Sequence, residues 1–373
     1  MNLGKFNGFA CLALGLLAGL NAAPAAAGDN VGAVSFDLES VPERYLSAYN
    51  FFADGKNQVP NDGVLPYTLN TPLYTDYANK HRFVWMPDGT AATYDPAEAF
   101  DFPVGAVLIK TFGYLHDIRD PEKGERLIET RLLINKPEGW VGFSYKWNDE
   151  GTDAKLAVAG GRVDVSWIHY DGNTREVKGY IIPNMNECKQ CHEKGGVMKP
   201  IGPQARHLNR AFDYEGGAWN QLLKWQETGY LEGAPDPETA PRMPDASDPT
   251  SASLNARARA YLDINCAHCH NPEGPAHMSG LDLSFSQEDA GKYGVFKAPI
   301  AAGRGSGGHR FGIEPKHPEK SILQHRMESV EGGVMMPPLP KRMVHDEGVA
   351  LIREWIAAMD ARVTEDNRVE ILE

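Results

Sequence analysis

From about residue 65 to residue 182, apolar residues come in short runs, several of which alternate with polar residues. The runs include RFVWMP, AVLIKTFGY, RLIETRLLI, WVGFSYKW, RVDVSWI and VKGYII, separated by stretches such as PDGT, PEKGE, NDEGTD and YDGNT. Short runs rich in Val, Ile, Tyr and Trp between Gly-, Asp- and Pro-containing turns are typical of β-strands. The pattern predicts an all-β unit with a sandwich-like architecture.

Helical periodicity replaces this alternation in the last third of the chain. The segment SLNARARAYLDIN has it, and a second helix is predicted behind Asp346 and Glu347, which mark its N-terminus. The apolar positions of that second helix are Val349, Leu351, Ile352, Trp355, Ile356 and Met359. Between the two patterns, REVKGYIIPN has the composition of a strand.

The N-terminus has the pattern of a secretory signal peptide. Lys5 precedes an apolar and small-residue run from about Phe9 to Leu20, and three alanines at positions 25–27 form a small-residue cleavage site. A membrane anchor needs roughly 20 continuous apolar residues, which neither this run nor any later segment provides. We expect residues 1–27 to be removed and the mature protein to be periplasmic or otherwise exported.

Two copies of Cys-x-x-Cys-His hold all the cysteines that remain after Cys11 leaves with the signal peptide. The first motif is Cys188–His192 (CKQCH), and the second motif is Cys266–His270 (CAHCH). Disulfides form readily in exported proteins, and two Cys pairs can share a zinc ion. The separation of the motifs is far longer than in zinc ribbons, however, and a shared zinc ion leaves both histidines without a role.

Cys-x-x-Cys-His is also the attachment signal for c-type haem. Two thiols at this spacing add to the two vinyl groups on one edge of the porphyrin, which brings the next histidine to the iron. Two haems account for every cysteine of the mature chain. The predicted covalent anchors are Cys188, Cys191, Cys266 and Cys269. The predicted proximal iron ligands are His192 and His270.

The sixth position of each iron separates an electron carrier from a catalyst. For the second haem, Met336 precedes Pro337 and Pro338, whose fixed φ stiffens the loop enough to hold a thioether still. Met336 is therefore the predicted distal ligand, with Met335 as its nearest rival.

The distal position of the first haem stays open between several alternatives. Met198 follows the first motif closely, and His207 lies a little further along, behind a predicted helix start. His169 and His81 from the β-rich region are further candidates. A vacant position is another, and it would make the first site the one able to do chemistry.

The order of these features along the chain resembles that of known proteins. From about Ser251 to Ala361, a helix, Cys-x-x-Cys-His, a long loop with Met-Pro and a terminal helix resemble a class I cytochrome c domain. From about Pro72 onward, the chain is similar to an uncharacterised family of exported bacterial proteins predicted to be di-haem c-type cytochromes. The matching segments are IPNMNECKQCH, PIGPQARHLN, YLDINCAHCHNP, MPP and GVALIREWI. The resemblance implies haem on both motifs and no activity for the β-rich region.

The predicted fold class is multidomain α+β, with an N-terminal all-β, sandwich-like domain followed by mainly α-helical c-type haem domains. The predicted parts are residues 1–27, signal peptide; 28–185, β-rich domain; 186–232, first haem-binding segment; 233–251, Pro-rich linker; 252–361, cytochrome c-like domain with the second haem; and 362–373, acidic tail.

The formal net charge of −13 changes the list of expected partners. Nucleic acid is disfavoured, because its phosphates repel an acidic protein. A basic redox protein is favoured, because opposite charges speed the encounter. No transmembrane segment is expected.

We therefore expect a periplasmic di-haem c-type cytochrome that transfers electrons, and the sequence assigns it no catalytic residue. Two alternatives stay open. One is a di-haem oxidase or peroxidase-like enzyme that uses an open first haem. The other is a binding module whose β domain docks a polysaccharide or a partner, with the haems as its redox contact.

Overall fold

The structure is a computed structural model that describes residues 32–338, 341–364 and 369–372. The predicted signal peptide lies outside the described residues, as does part of the predicted acidic tail. Strand content exceeds helix content, at 29% against 22%.

The strands in chain order are β1 (Phe52–Asp54), β2 (Val59–Pro60), β3 (Leu65–Pro66), β4 (Asn79–Trp85), β5 (Ala92–Thr93), β6 (Val107–Leu115), β7 (Glu125–Lys136), β8 (Gly139–Trp147), β9 (Ala154–Leu156), β10 (Gly161–Ile168), β11 (Thr174–Ile182), β12 (Glu193–Lys194), β13 (Val197–Met198), β14 (Ala211–Tyr214), β15 (Gly217–Asn220), β16 (Leu231–Glu232), β17 (Asp360–Val363) and β18 (Val369–Leu372).

The helices are α1 (Met185–His192), α2 (Ala205–Leu208), α3 (Gln221–Glu227), α4 (Leu254–Leu262), α5 (Ala290–Tyr293), α6 (Ile322–Met327) and α7 (Asp346–Ala358). A π-helical turn, Asp263–Ala267, continues α4. Short 3-10 turns lie at Leu46–Tyr49, Pro121–Lys123, His277–Ser279, Gly303–Ser306 and Pro318–Lys320.

The largest sheet is antiparallel throughout and has the strand order β3-β4-β6-β7-β8-β9. Side chains alternate between its two faces, as they must in a strand. One face is apolar and buries residues such as Ile109, Leu132 and Tyr145 against Leu46 and Tyr49 from the N-terminal segment. These large side chains form one of the cores of the molecule.

The opposite face, here called the motif face, is apolar only at its two ends. At one end Val84 and Leu108 pack beneath Trp225 of α3. At the other end Phe112 packs with Trp167 and other residues of the hairpin β10–β11. Between the ends lie charged residues, and α1 with the first motif packs on β8 beside them.

The C-terminal part has its own core, built where α4 and α7 cross. Tyr261 and Leu262 from α4 are buried with Ile352, Trp355 and Ile356 from α7. The indole N–H of Trp355 donates to Asn255 Oδ1 at 3.0 Å, which satisfies its polar atom. This core fixes α4 as the support of the second motif.

The predicted fold class is wrong, because the described chain is β-rich with several small sheets, and mainly α-helical haem domains do not follow the β-rich region. In the described part of the chain, the β-rich region has one six-stranded sheet, the separate pairs β1–β2 and β10–β11, and β5, which pairs with β16, in place of two stacked sheets. The haem segments are not mainly α-helical, because α2 and α5 have four residues each and long irregular stretches connect the others. Gly and Pro recur throughout NPEGPAHMSG, KAPIAAGRGSGG and EGGVMMPPLP, and each interrupts helix formation.

The predicted linker, residues 233–251, lies against the rest of the molecule. Met243 is buried, and its backbone N–H donates to the Arg206 carbonyl at 2.8 Å. Thr71 from the β-rich region donates its hydroxyl to the Pro244 carbonyl at 2.9 Å. This segment therefore joins the two motif-bearing regions and the β-rich region. Among the described residues, no helix is long and apolar enough to cross a membrane.

Candidate functional site

The first motif lies on the short helix α1, directly after β11. Asn184 caps this helix: its side chain accepts from the backbone N–H of Glu187 at 3.1 Å, and its own N–H donates to the Glu187 carboxylate at 2.8 Å. This reciprocal capping box stabilises a helix whose residues are half-buried or exposed. Gly142 on β8 lets the helix approach the sheet, because a Cβ there would lie 3.2 Å from the Cys188 Cβ.

A backbone carbonyl fixes the ring of the first motif histidine. His192 Nδ1 lies 2.9 Å from the carbonyl oxygen of Lys199, on the two-stranded turn β12–β13 that follows the motif. A carbonyl only accepts, so Nδ1 carries the proton and Nε2 keeps a lone pair for a metal. Burial lowers the pKa of His192 to about 4, so the ring is neutral at pH 7, as a metal ligand must be.

The second motif begins in the π-helical turn that continues α4. This turn widens the helix end, and π-turns of this kind are frequent at functional sites. The buried Asn265 holds it in place, because its side chain donates to the Tyr261 carbonyl at 2.9 Å and accepts from the Tyr74 N–H at 2.7 Å. Tyr74 belongs to the β-rich region, so that region helps to position the second motif.

A serine fixes the ring of the second motif histidine. His270 Nδ1 lies 2.9 Å from Ser279 Oγ, and that hydroxyl donates to the Ala276 carbonyl at 2.7 Å. The Ser279 oxygen therefore accepts from Nδ1–H, and His270 Nε2 is free for a metal. Burial lowers the pKa of His270 to about 4, which again gives a neutral imidazole at pH 7.

A cavity of about 440 Å³, here called the second-site cavity, opens beside the second motif. Cys266, Cys269 and His270 line one wall, and Met336 lines the cavity too. Met335 is not among the lining residues. The Met336 N–H donates to the Arg326 carbonyl at 3.0 Å, which helps to hold this loop against the cavity. The structure thus brings the predicted proximal and distal ligands of the second haem to one cavity.

A smaller cavity of about 170 Å³, here called the first-site cavity, lies beside the first motif. Cys191, His192 and His207 line it. Met198 does not; its methyl group instead approaches Gly142 on the sheet, beside Cys188. Of the two predicted distal candidates for the first haem, His207 shares a cavity with the proximal histidine and Met198 does not.

His207 is buried, and its two ring nitrogens differ. Nε2 lies 3.3 Å from Asp263 Oδ2, whereas Nδ1 has no hydrogen-bond partner among the described residues. Arg206 also contacts the Asp263 carboxylate, at 3.3 Å. Since Asp263 opens the π-helical turn of the second motif, this ion-pair cluster ties the first site to the second.

The two motifs also touch directly. Cys269 Sγ lies 3.8 Å from the carbonyl oxygen of Gln190, which sits between the two cysteines of the first motif. Cys191 and His268 each line both cavities. The two candidate sites therefore share a wall, and they adjoin at their cysteine edges.

The remaining sequence candidates lie away from both cavities. His81 pairs with the Glu125 carboxylate at 2.8 Å, and His169 accepts from the Trp167 indole N–H at 3.3 Å. Neither histidine lines the first-site or the second-site cavity.

The residues present fit a c-type haem better at the second motif than at the first. All four motif thiols are free, and each histidine offers its Nε2. The second-site cavity has the size of a ligand pocket, roughly 300–1,000 Å³, whereas the first-site cavity is smaller. Over the described ranges, His, Cys, Asp and Glu side chains form no group of three or more that would hold a metal ion by themselves.

Sequence reasoning missed the residues that orient the two histidines. Ser279 is one of many serines, and Lys199 acts through its backbone carbonyl, which any residue has. The Asn184-x-x-Glu187 capping box, in contrast, was visible as a sequence pattern that marks the start of α1.

Neither a protein-family model, nor a curated protein, nor a solved structure matches this chain.

Proposed function

We propose that this protein is an exported di-haem c-type cytochrome that transfers electrons. The observation that carries the proposal is the second site, where Cys266, Cys269, His270 and Met336 line one cavity. A single covalent haem explains why two thiols, an oriented imidazole and a thioether meet there.

At the second site, the side chains of this chain would hold the cofactor from three directions. A haem bound there supplies a one-electron Fe(III)/Fe(II) couple. Cys266 and Cys269 would anchor it covalently, and His270, through Nε2, and Met336 would bind its iron. The apolar wall around them, which includes Leu283 and Ile313, limits the access of water and favours a high potential.

The contact between the motifs supports an electron carrier over two unrelated binding sites. Gln190 and Cys269 touch, and Cys191 and His268 line both cavities. A shared wall keeps the two cofactor positions close without any conformational change. The predicted export fits the same proposal, because unbonded thiols in an oxidising compartment are readily oxidised, whereas thioether-linked cysteines are protected.

The test is a count of covalent haems per chain by pyridine haemochrome analysis. We expect two in a host with active cytochrome c maturation, and one in either Cys188→Ser/Cys191→Ser or Cys266→Ser/Cys269→Ser. Lys189→Gln is the matched control, because it changes a residue inside the first motif that is neither an anchor nor a ligand, and it leaves the count at two. A count of one or none in the unchanged protein contradicts the proposal.

A second candidate function, a peroxidase-like reaction at the first site, rests on one observation. His207 and Arg206 line the first-site cavity together with His192, and His207 Nδ1 has no partner in the described part of the chain. Rapid binding of cyanide by the resting protein at one haem, lost in the Cys188→Ser/Cys191→Ser variant, would favour this function. Absence of cyanide binding would favour electron transfer alone.

A further inference from the structure

A lysine is buried in the wall of the second-site cavity. Lys341 lines this cavity, yet only 6% of the residue is exposed. Lysine is among the residues least often buried, because an ammonium group loses its hydration there. Among the described residues, both hydrogen-bond partners of the Lys341 ammonium are backbone carbonyls, and no carboxylate forms an ion pair with it. A charge pair therefore does not explain why a cation is buried here.

The Lys341 ammonium connects the end of a helix to the Met336 peptide. It donates to the carbonyl of Met327, the last residue of α6, and to the carbonyl of Met336 at 3.1 Å. The last carbonyls of a helix have no partner within the helix, so a donor at this position satisfies one of them. Lys341 thus fixes the Met336 carbonyl relative to α6.

Met336 is held at both of its backbone polar groups. Its N–H donates to the carbonyl of Arg326 at 3.0 Å, and its C=O accepts from Lys341. The Arg326 guanidinium also donates through Nε to the carbonyl of Val334 at 2.8 Å. The next residue, Pro337, has no N–H and adds no donor to this turn. In the described part of the chain, the Lys341 ammonium is the donor that holds the carboxyl side of Met336.

A purely structural cross-link does not require a charge at this position. An apolar side chain would fill the same wall of the cavity without the cost of desolvating an ammonium. A cation in a poorly hydrated cavity acts strongly on nearby charge, and it favours the state that carries less positive charge. Lys341 therefore combines two effects on the second site: it restrains the Met336 loop, and it adds positive potential to the cavity.

We propose that Lys341 is the positioning residue of Met336, an inference that rests on the proposed di-haem function. Its ammonium holds the Met336 carbonyl, so that the thioether keeps one position in the second-site cavity. Its charge favours the reduced state of an iron that His270 and Met336 ligate. Lys341 is not itself assigned as a ligand, because its Nζ is committed to the two carbonyls.

The first measurement is the displacement of Met336 by imidazole in the oxidised two-haem protein. The sulfur-to-iron absorption band reports only on thioether-bound iron, so its loss follows Met336. Lys341→Leu fills the cavity wall with an apolar side chain that can neither donate nor ligate, which frees the Met336 carbonyl. We expect half-displacement at an imidazole concentration at least tenfold lower than in the unchanged protein. Lys341→Gln repeats the experiment in case Lys341→Leu fails to fold.

The second measurement is the reduction potential of the second haem, which is the haem absent from Cys266→Ser/Cys269→Ser. Lys341→Leu removes a cation that favours reduced iron, so we expect at least a tenfold change in the one-electron equilibrium, a fall of about 59 mV. Lys316→Leu is the matched control. Lys316 also donates to a backbone carbonyl in the C-terminal part, that of Ala358 at 3.3 Å, but its side chain is 50% exposed and lines neither cavity. This control should leave both the potential and the imidazole affinity unchanged.

The outcomes separate this proposal from the function beneath it. A lower Tm of Lys341→Leu with unchanged imidazole affinity and potential shows a structural role alone, which overturns the proposal and leaves the di-haem function standing. A lower potential with unchanged imidazole affinity shows a charge effect without positioning, and it overturns the proposal as well. Absence of the sulfur-to-iron band from the unchanged protein removes Met336 as a ligand, and the proposal with it. Absence of covalent haem at the second motif instead contradicts the function itself.

Discussion

At the scale of single residues, each motif histidine has a different partner at Nδ1. His192 donates to the carbonyl of Lys199, whereas His270 donates to the hydroxyl of Ser279. Both partners leave Nε2 available to a metal, but a carbonyl acceptor draws more electron density into the ring than a hydroxyl that is itself a donor. The two imidazole rings are therefore polarised differently, even though their motifs have the same Cys-x-x-Cys-His spacing.

The predicted role of Met336 as the distal ligand of the second haem can be tested by substitution. A thioether ligand favours reduced iron relative to a second imidazole, so Met336→His should lower the potential of the second haem by well over about 59 mV, the value of one tenfold change. Met336→Ala should abolish the sulfur-to-iron absorption band. Redox titration with optical detection measures both effects.

Met335 provides the control for this prediction. It is the neighbouring methionine but does not line the second-site cavity, so Met335→Ala should leave the band and the potential in place. An intact band in Met336→Ala, with a lost band in Met335→Ala, would reverse the assignment.

At the scale of elements, sequence periodicity was sufficient where one face of an element is buried. It indicated α4 and α7, whose apolar residues meet in one core, and it indicated the long strands β4, β6, β7 and β8. It could not indicate the two-residue strands β12 and β13, because a period needs several repeats to be visible. Their function is to return the chain so that the Lys199 carbonyl meets His192.

Two cationic residues on the motif face, Lys110 and Arg131, are a signal that was present in the sequence but was not used. Lys110 and Arg131 occupy positions in AVLIKTFGY and RLIETRLLI that point to the same face as the apolar Leu108 and Leu133. A charge at a core-facing position of a strand is costly without a partner. The alternation of a single strand is enough to reveal such a position, but it reveals neither the partner strand nor the register, because both depend on long-range pairing.

Asp76 connects two elements that are far apart in sequence. This fully buried residue precedes β4, and its Oδ1 accepts from the backbone N–H groups of Arg342 at 2.9 Å and Met343 at 2.8 Å. Those residues follow the Met336 loop, so Asp76 anchors the distal end of that loop to the β-rich region. Burial raises the pKa of Asp76 to about 7.

This raised pKa predicts a pH dependence of stability that is the reverse of the usual carboxylate case. Between about pH 4 and about pH 7, the folded protein keeps a proton on Asp76 that the unfolded chain has released. The free energy of unfolding therefore falls as pH rises through this window, by up to about 1.4 kcal/mol per pH unit. Asp76→Asn should flatten the profile, since an amide oxygen can still accept from both N–H groups. Urea unfolding across the window measures it.

Asp149→Asn is the control for this experiment, because that side chain is 85% exposed and pairs only at the surface with Arg126. It should leave the slope of the profile unchanged. If Asp76→Asn has the same slope as the unchanged protein, Asp76 is ionised throughout the window and its proposed protonation is wrong.

At the scale of the whole molecule, the β-rich region and the two motif-bearing segments are joined by specific contacts. Tyr74 donates to Asn265 beside the second motif, and Thr71 donates to the carbonyl of Pro244 in the connecting segment. Arg206, from the first region, pairs with Asp263 in the second. The spacing of the motifs did not predict these contacts. It locates the cysteines along the chain but not the segments that pack around them.

The electrostatics of the molecule have a global and a local part with opposite signs. The chain carries a formal net charge of −13. The second-site cavity, however, is lined by Met278 and Ile300, which are 71% and 64% exposed, together with Lys297. Residues 290–313 contain no Asp or Glu. We call these residues, Met278, Lys297 and Ile300, the cavity rim. The net charge of the chain favours a basic partner, whereas the positive charge of the cavity rim favours an acidic one.

The last prediction uses the salt dependence of electron exchange to decide whether the net negative charge or the positive charge of the cavity rim controls the encounter with a redox partner. The Debye length shortens from about 30 Å at 0.01 M to about 10 Å at 0.1 M, which screens long-range attraction. If the net charge dominates, stopped-flow electron exchange with a small basic cytochrome slows with added salt, and exchange with a small acidic one accelerates. Lys297→Gln should then speed exchange with the basic partner at low salt, whereas Lys155→Gln, on β9 and lining neither cavity, should not match it. Faster exchange with the acidic partner at low salt would instead show that the cavity rim controls the encounter. Exchange rates that do not change with salt for either partner would leave the charge without a role in recognition.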